Sequence, residues 1–207
     1  MSETIGVVGI GRMGRGIALS YIFAGVPVLL VDIKEREQPE REALHCSARE
    51  ELGRDLQFLA DVGLMRAEEI AGTRALVAFT HRADGAELLG ACSIVYEGVP
   101  EVMAAKTEAF SYISGCVADD AIIASTTSTF LVTELAGLVA HSERFINAHW
   151  LNPAHLMPLV ELSRSEQTSE QVVAAMVASL EAIGKVPVVC SASPGYIVPR
   201  IQALAMN

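Results

Sequence analysis

The stretch from Ile5 to Asp32, IGVVGIGRMGRGIALSYIFAGVPVLLVD, reads as strand, glycine turn, helix and second strand, and this order decides the fold. Ile5, Val7 and Val8 open an apolar run. Gly9, Gly11 and Gly14 follow in G-x-G-x-x-G spacing, and Val28 to Val31 form a second apolar run that ends in Asp32. Each glycine has its own physical task. Gly9 permits the tight turn out of the strand, Gly11 keeps side-chain atoms away from a pyrophosphate, and Gly14 lets the helix lie close on the sheet. The helix start at Arg12 and Met13 offers free N–H groups and the positive end of the dipole to phosphate, with no lysine needed. No Gly-Lys-Ser/Thr ending of a phosphoryl-donor loop is present.

Glycines also end strands and tighten helix packing, so the triplet alone is weak evidence. The acidic residue strengthens it. Asp32 stands at the tip of the second strand, about 20 residues beyond the glycines, where a carboxylate accepts hydrogen bonds from the adenosine ribose. The same charge repels a 2′-phosphate, so the cofactor expected is NAD rather than NADP. Lys34 and Arg36 follow closely and can soften that preference.

The chain has 207 residues, 51% hydrophobic and 19% charged, enough for one large domain with a substantial core, or for one domain and part of another. A net charge of -10 and the lack of basic runs interleaved with aromatics argue against nucleic acid or an anionic membrane as partners. No signal peptide is legible and no apolar stretch reaches the roughly 18 residues of a membrane span, so a cytoplasmic protein is expected. Cys46, Cys92, Cys116 and Cys190 are widely spaced, which predicts reduced, buried thiols and no metal site.

After Asp32 the pattern alternates. A long amphipathic helix is predicted over Pro39 to Val62, strands at Ala75 to Thr80 and Cys92 to Val99, a helical turn at Gly85 to Leu89 and a helix at Glu101 to Ile113. Ala121 to Ser125 reads as a strand, Thr129 to Val139 as a helix, Phe145 to Trp150 and Leu159 to Leu162 as strands, Ser169 to Ile183 as a helix and Val186 to Cys190 as a last strand. The fold class is therefore α/β, a doubly wound Rossmann-type sheet. SASPG, residues 191–195, reads as a boundary loop. Residues 1–191 are expected to form the nucleotide-binding domain, and residues 192–207 a hinge and the first helix of an all-helical C-terminal domain cut short here.

Two extended segments flank the nine residues LNPAHLMPL, and if they pair as neighbours, His149 on one and Glu161 on the other can stand side by side. Imidazole can take a hydroxyl proton while a carboxylate on its other nitrogen fixes the tautomer. The competing reading is a satisfied strand histidine and a surface glutamate, and His155 in the loop is expected to be exposed. Ser128, in the turn STTST after a strand, is either a ligand contact or a helix cap. EGVPE, residues 97–101, ends a strand on the same edge, so Val99, Glu101 and Lys106 are candidates for the nicotinamide half of the cofactor. Lys106 can equally pair with Glu101 or Glu108.

At the level of whole motifs the chain resembles the L-3-hydroxyacyl-CoA dehydrogenases. GIGRMGRGIA is similar to that family's nucleotide loop, YEGVPEVMAAK to its cofactor-contacting turn, ASTTSTF to its serine turn, FINAHWLNPAHLMPLVEL to its His-to-Glu segment and GKVPVVCSASPGYIVPRI to its hinge. The resemblance implies NAD-dependent, reversible oxidation of the 3-hydroxyl of a 3-hydroxyacyl-CoA such as 3-hydroxybutyryl-CoA. It makes His149 the catalytic base, Glu161 its orienting partner, Ser128 a substrate and cofactor contact, Asn152 a substrate contact, and Glu101 and Lys106 cofactor contacts. It also implies a homodimer through the C-terminal helices.

Two departures bear on the substrate. Val198-Pro199-Arg200 stands where the family usually has Val-Asn-Arg, and the long helix after Asp32 carries arginines balanced by acids and no lysine. The segment AHWLNPAHLMPLVEL is also similar to L-gulonate 3-dehydrogenase and lambda-crystallin, so a free hydroxy acid substrate or a non-catalytic, crystallin-like protein are the alternatives.

Overall fold

The computed structural model describes residues 4–206. Residues 1–3 and 207, the outermost members of the two expected segments, lie outside the described residues. Strands β1 (Thr4–Val8), β2 (Val28–Asp32), β3 (Val77–His81), β4 (Cys92–Glu97), β5 (Ile122–Ser125), β6 (Phe145–Trp150), β7 (Leu159–Arg164) and β8 (Val186–Ser191) form one sheet in the order 3-2-1-4-5-6-7-8. All neighbours are parallel except β6 and β7, which run antiparallel. The strand order reverses between β1 and β4, and ligands of open α/β sheets bind at such a crevice.

Successive residues of a strand face opposite sides of the sheet. Val7 and Leu30 accordingly join one core cluster with Ile17, Leu52, Leu56 and Met176, which lie on α1 (Arg12–Phe23), α2 (Gln38–Asp61) and α7 (Glu170–Ala182). Val8 and Val31 join a second cluster with Leu89, Phe110, Ile113 and Leu135 from α4 (Arg82–Leu89), α5 (Met103–Cys116) and α6 (Val132–Ala136). Burial on both faces is why the parallel strands read as unbroken apolar runs rather than alternating ones.

Several local expectations change. Ala67–Glu69 forms a 3-10 turn that continues into α3 (Ile70–Arg74), which is too short for helical periodicity to reveal. The expected turn at Gly85 to Leu89 is a full helix from Arg82. The helix expected over Thr129 to Val139 shrinks to α6, because the Thr127 hydroxyl accepts the N–H groups of Thr129 and Phe130 and holds them in a turn. The cysteines are free thiols, but only Cys92 is buried, and Cys46 is exposed. His155 is half-buried rather than exposed. The chain closes on α8 (Val198–Met206), whose residues Ile201, Leu204 and Met206 are exposed.

Candidate active site

The glycine loop lies at the β1/β4 crevice. Gly9 has φ +114°, and a Cβ there would stand 2.5 Å from the Gly98 carbonyl oxygen; a Cβ on Gly14 would stand 1.9 Å from the carbonyl of Gly9. Internal packing thus demands both. Around Gly11 the space is open, with no heavy atom within 4 Å of a built Cβ. No contact inside the chain calls for glycine at 11, whereas a pyrophosphate resting on the start of α1 does. The residues fit a dinucleotide.

Asp32 ends β2 as expected, and its carboxylate is already engaged. Arg36 Nε donates to Oδ2 at 2.7 Å and the Lys34 amide to Oδ1 at 3.3 Å. Lys34, Arg36, Arg41, His81 and Arg82 line a depression of about 420 Å³ beside it.

At the end of β4 the acidic turn is a built network. Glu97, fully buried at the end of β4, accepts from Lys106 Nζ at 2.9 and 3.1 Å, from the Ser125 hydroxyl at 2.6 Å and from the Val99 amide at 2.9 Å. Lys106 is fully buried too and bridges Glu97 to Glu101, whose Oε2 lies 3.1 Å away; Glu108 pairs instead with Arg82. Glu101 Oε1 accepts from the Thr127 and Thr129 hydroxyls and from the amides of Ser128 and Thr129. Burial opposes ionisation of Glu101, but these hydrogen bonds and the Lys106 ammonium outweigh it and hold its carboxyl down at about 2. Ser128 does not cap a helix. It is exposed at the top of the turn, and the residue before α6 is Leu131.

The antiparallel register sets His149 directly opposite Glu161. His149 Nδ1 and Glu161 Oε2 are 2.8 Å apart, and the carboxylate is fully buried. A carboxylate accepts, so Nδ1 carries the proton and Nε2 is left as the acceptor nitrogen. Glu161 Oε1 accepts from the amides of Ile197 and Val198, at 2.7 and 2.9 Å. The Tyr196 ring lies flat on the imidazole, centroids 4.5 Å apart at 12°.

A cleft of about 780 Å³ joins these parts, lined by Arg12, Met13, Val99, Glu101, Ser128, His149, Asn152 and Pro199 among others. Its size suits a small-molecule site. A depression of about 600 Å³ lined by Arg164, Ser165 and Gln167 lies at the C-terminal end of β7, the strand that carries Glu161, and shares no lining residue with this cleft. Lys106 is not among the residues lining the cleft and meets it only through Glu101. Two contributors escaped the sequence. Tyr196 carries no motif of its own, and Lys185 donates to the carbonyls of Ala154 and Met157, at 2.7 and 3.0 Å, holding the loop that follows Asn152.

A Rossmann-type sheet with its glycine loop and a His–Glu pair on one cleft defines the class of nicotinamide-dependent dehydrogenases. The chain belongs to the 3-hydroxyacyl-CoA dehydrogenase family: the model of that family's NAD binding domain matches residues 4–193. It is 36% identical over 199 residues to the fatty acid oxidation complex subunit alpha of Idiomarina loihiensis, covering 96% of this chain and 26% of that protein. The chain thus spans about a quarter of the length of such curated relatives. The (S)-3-hydroxybutyryl-CoA dehydrogenase of Ralstonia eutropha superposes with a TM-score of 0.90 at 32% identity, over 100% of this chain and 70% of that one. An NAD+-dependent 5-formyl-3-hydroxy-2-methylpyridine 4-carboxylic acid 5-dehydrogenase superposes with a TM-score of 0.84 at 29% identity, over 100% and 63%. Among the described residues no helix is long and apolar enough to cross a membrane, and no cluster suits a metal ion.

Proposed function

We propose that this chain is the NAD-binding part of a dehydrogenase that reversibly oxidises the 3-hydroxyl of a 3-hydroxyacyl-CoA, such as 3-hydroxybutyryl-CoA, to the ketone. The observation that carries the reading is the His149–Glu161 bond at 2.8 Å beside the cleft that also holds Arg12, Ser128 and Asn152. Gly9, Gly11, Gly14 and Asp32 hold NAD, which supplies the hydride acceptor when bound. His149 Nε2 takes the proton of the substrate hydroxyl, and Glu161 stabilises the imidazolium that forms; in reduction the same nitrogen returns the proton. Ser128 and Asn152 orient the substrate oxygens. Glu101, fixed by the serine turn, presents an anionic edge to the nicotinamide half, with Lys106 holding it from below.

Residues 1–191 form the NAD-binding domain in this reading, and residues 192–207 the hinge and first helix of a helical domain that completes the cleft and carries a homodimer interface. The compartment is the cytoplasm. A second reading, a dehydrogenase of a free hydroxy acid, is favoured by α2, whose arginines are matched by acids, and by Pro199 on the cleft wall. The deciding experiment assays the intact protein with NAD against 3-hydroxybutyryl-CoA, free 3-hydroxybutyrate and L-gulonate, following NADH absorbance. Turnover of the thioester alone supports the first reading, turnover of a free acid alone the second. No turnover of any of them leaves the crystallin-like alternative.

A further inference from the structure

We infer that Tyr196 is a positioning residue for His149, acting on the plane of the imidazole rather than on substrate; its effect on turnover rests on the dehydrogenase reading above. The two rings are stacked at 4.5 Å and 12°. The hydrogen bond to Glu161 restrains Nδ1, but the Cβ–Cγ torsion of His149 is soft and keeps some freedom to rock the ring. A flat ring against its face removes that freedom and holds Nε2 toward the cleft.

Tyr196 is itself pinned from three sides. Its hydroxyl donates to the Thr127 carbonyl at 2.9 Å and accepts from Asn147 Nδ2 at 3.1 Å, joining the serine turn to β6. Its backbone has φ +44°, an uncommon conformation for a residue with a side chain. The residues immediately after it, Ile197 and Val198, give their amides to Glu161 Oε1. One turn therefore clamps the carboxylate with its backbone and the imidazole with its side chain. Burial pushes the phenol well above its ordinary pKa, so the hydroxyl stays a donor to Thr127. With its donor and acceptor roles both filled, it is not placed to trade protons with substrate.

The test compares Tyr196→Leu, which keeps bulk without a ring plane, with Tyr196→Phe, which keeps the ring, in the intact protein. Tyr196→Leu should lower kcat at least about tenfold, with KM and the NAD dissociation constant within about twofold of wild type, because misplacement of a reacting group costs rate rather than binding. Tyr196→Phe should retain most of kcat. In NMR of the NAD complex, the His149 ring signals should be sharp in the wild type, broaden through rocking of the ring in Tyr196→Leu and stay sharp in Tyr196→Phe, with the Nδ1–H tautomer set by Glu161 kept in all three. An unchanged kcat and unchanged His149 line widths in Tyr196→Leu overturn the inference, and so does a raised KM at constant kcat, which would make Tyr196 a substrate contact. If the wild type oxidises none of the substrates, the dehydrogenase reading fails, and the NMR comparison alone decides whether Tyr196 positions His149. Should Tyr196→Leu not fold, Tyr196→Met carries the same comparison.

Discussion

The backbone amide of Ile197 donates to Glu161 Oε1 at 2.7 Å, so the first turn leading into α8 is tied to the carboxylate that faces His149. Val198 adds a second amide at 2.9 Å to the same oxygen, leaving Oε2 for the imidazole. Both oxygens of Glu161 are engaged, and hydrogen bonds from N–H groups to a carboxylate are among the stronger ones. A shift of α8 is therefore felt at the dyad.

Substitution of His149, the proposed base, is the most direct check on that pair. His149→Ala should lower kcat on the order of a hundredfold or more while leaving NAD affinity near normal. Glu161→Gln should cost less and act on the same step, since the amide still fills the space but stabilises imidazolium poorly. Steady-state kinetics and an NAD titration on both variants check this; full turnover in His149→Ala defeats the assignment.

Lys106 separates a structural role from a cofactor contact. Lys106→Met leaves Glu97 buried without its cation, and breaking a buried pair in this way costs about 3–5 kcal/mol of stability. Thermal unfolding should therefore show a large drop in Tm. A variant of unchanged Tm but weakened NAD binding would mean that the lysine serves the cofactor directly.

Cofactor choice turns on Asp32 and Arg36. NAD should bind more tightly than NADP, and Arg36→Ala should widen the gap by removing the cation that is paired with the Asp32 carboxylate beside the place where a 2′-phosphate would lie. Calorimetric titration with both cofactors reads this. Equal binding in the wild type, or an unchanged gap in the variant, contradicts it.

Glu101 gives a pH dependence with a definite sign. Its carboxyl is held at about 2 in the folded chain against an ordinary value of 4.5, so its contribution is fully present above about pH 4.5 and fades as pH falls toward 2. Glu101→Gln should flatten the acid limb of the stability curve in that window. Urea unfolding at a series of pH values measures it, and identical limbs for both proteins would refute the linkage.

Pro199 lines the cleft at the place where the resembled family has asparagine. Restoring it by Pro199→Asn in the intact protein should shift preference between a CoA thioester and a free acid. The ratio of kcat/KM for the two substrates reads the change, and an unchanged ratio would remove Pro199 from the specificity argument.

Much of this protein was legible because its signals are local. Strands buried on both faces write themselves as apolar runs, and a backbone that must bend at Gly9 or touch its neighbour at Gly14 excludes every side chain. The position of Asp32 at a strand tip follows from counting. Even the pairing of His149 with Glu161 needed only two adjacent strands and a short loop between them, although the antiparallel register that sets them opposite is a property of the sheet. Contacts that join distant segments were another matter. The order of residues offers Glu101 as a partner for Lys106, but nothing in it says that Lys106 turns inward to reach Glu97 as well, that Arg36 already occupies Asp32, or that Thr127 rather than Ser128 shapes the serine turn. Tyr196 meets Thr127 from 69 residues away, and Ile197 meets Glu161 from 36. Periodicity and motif spacing report which face a residue turns toward its own element's neighbours; which buried polar groups find one another is settled only when the packed chain brings distant segments within hydrogen-bond reach.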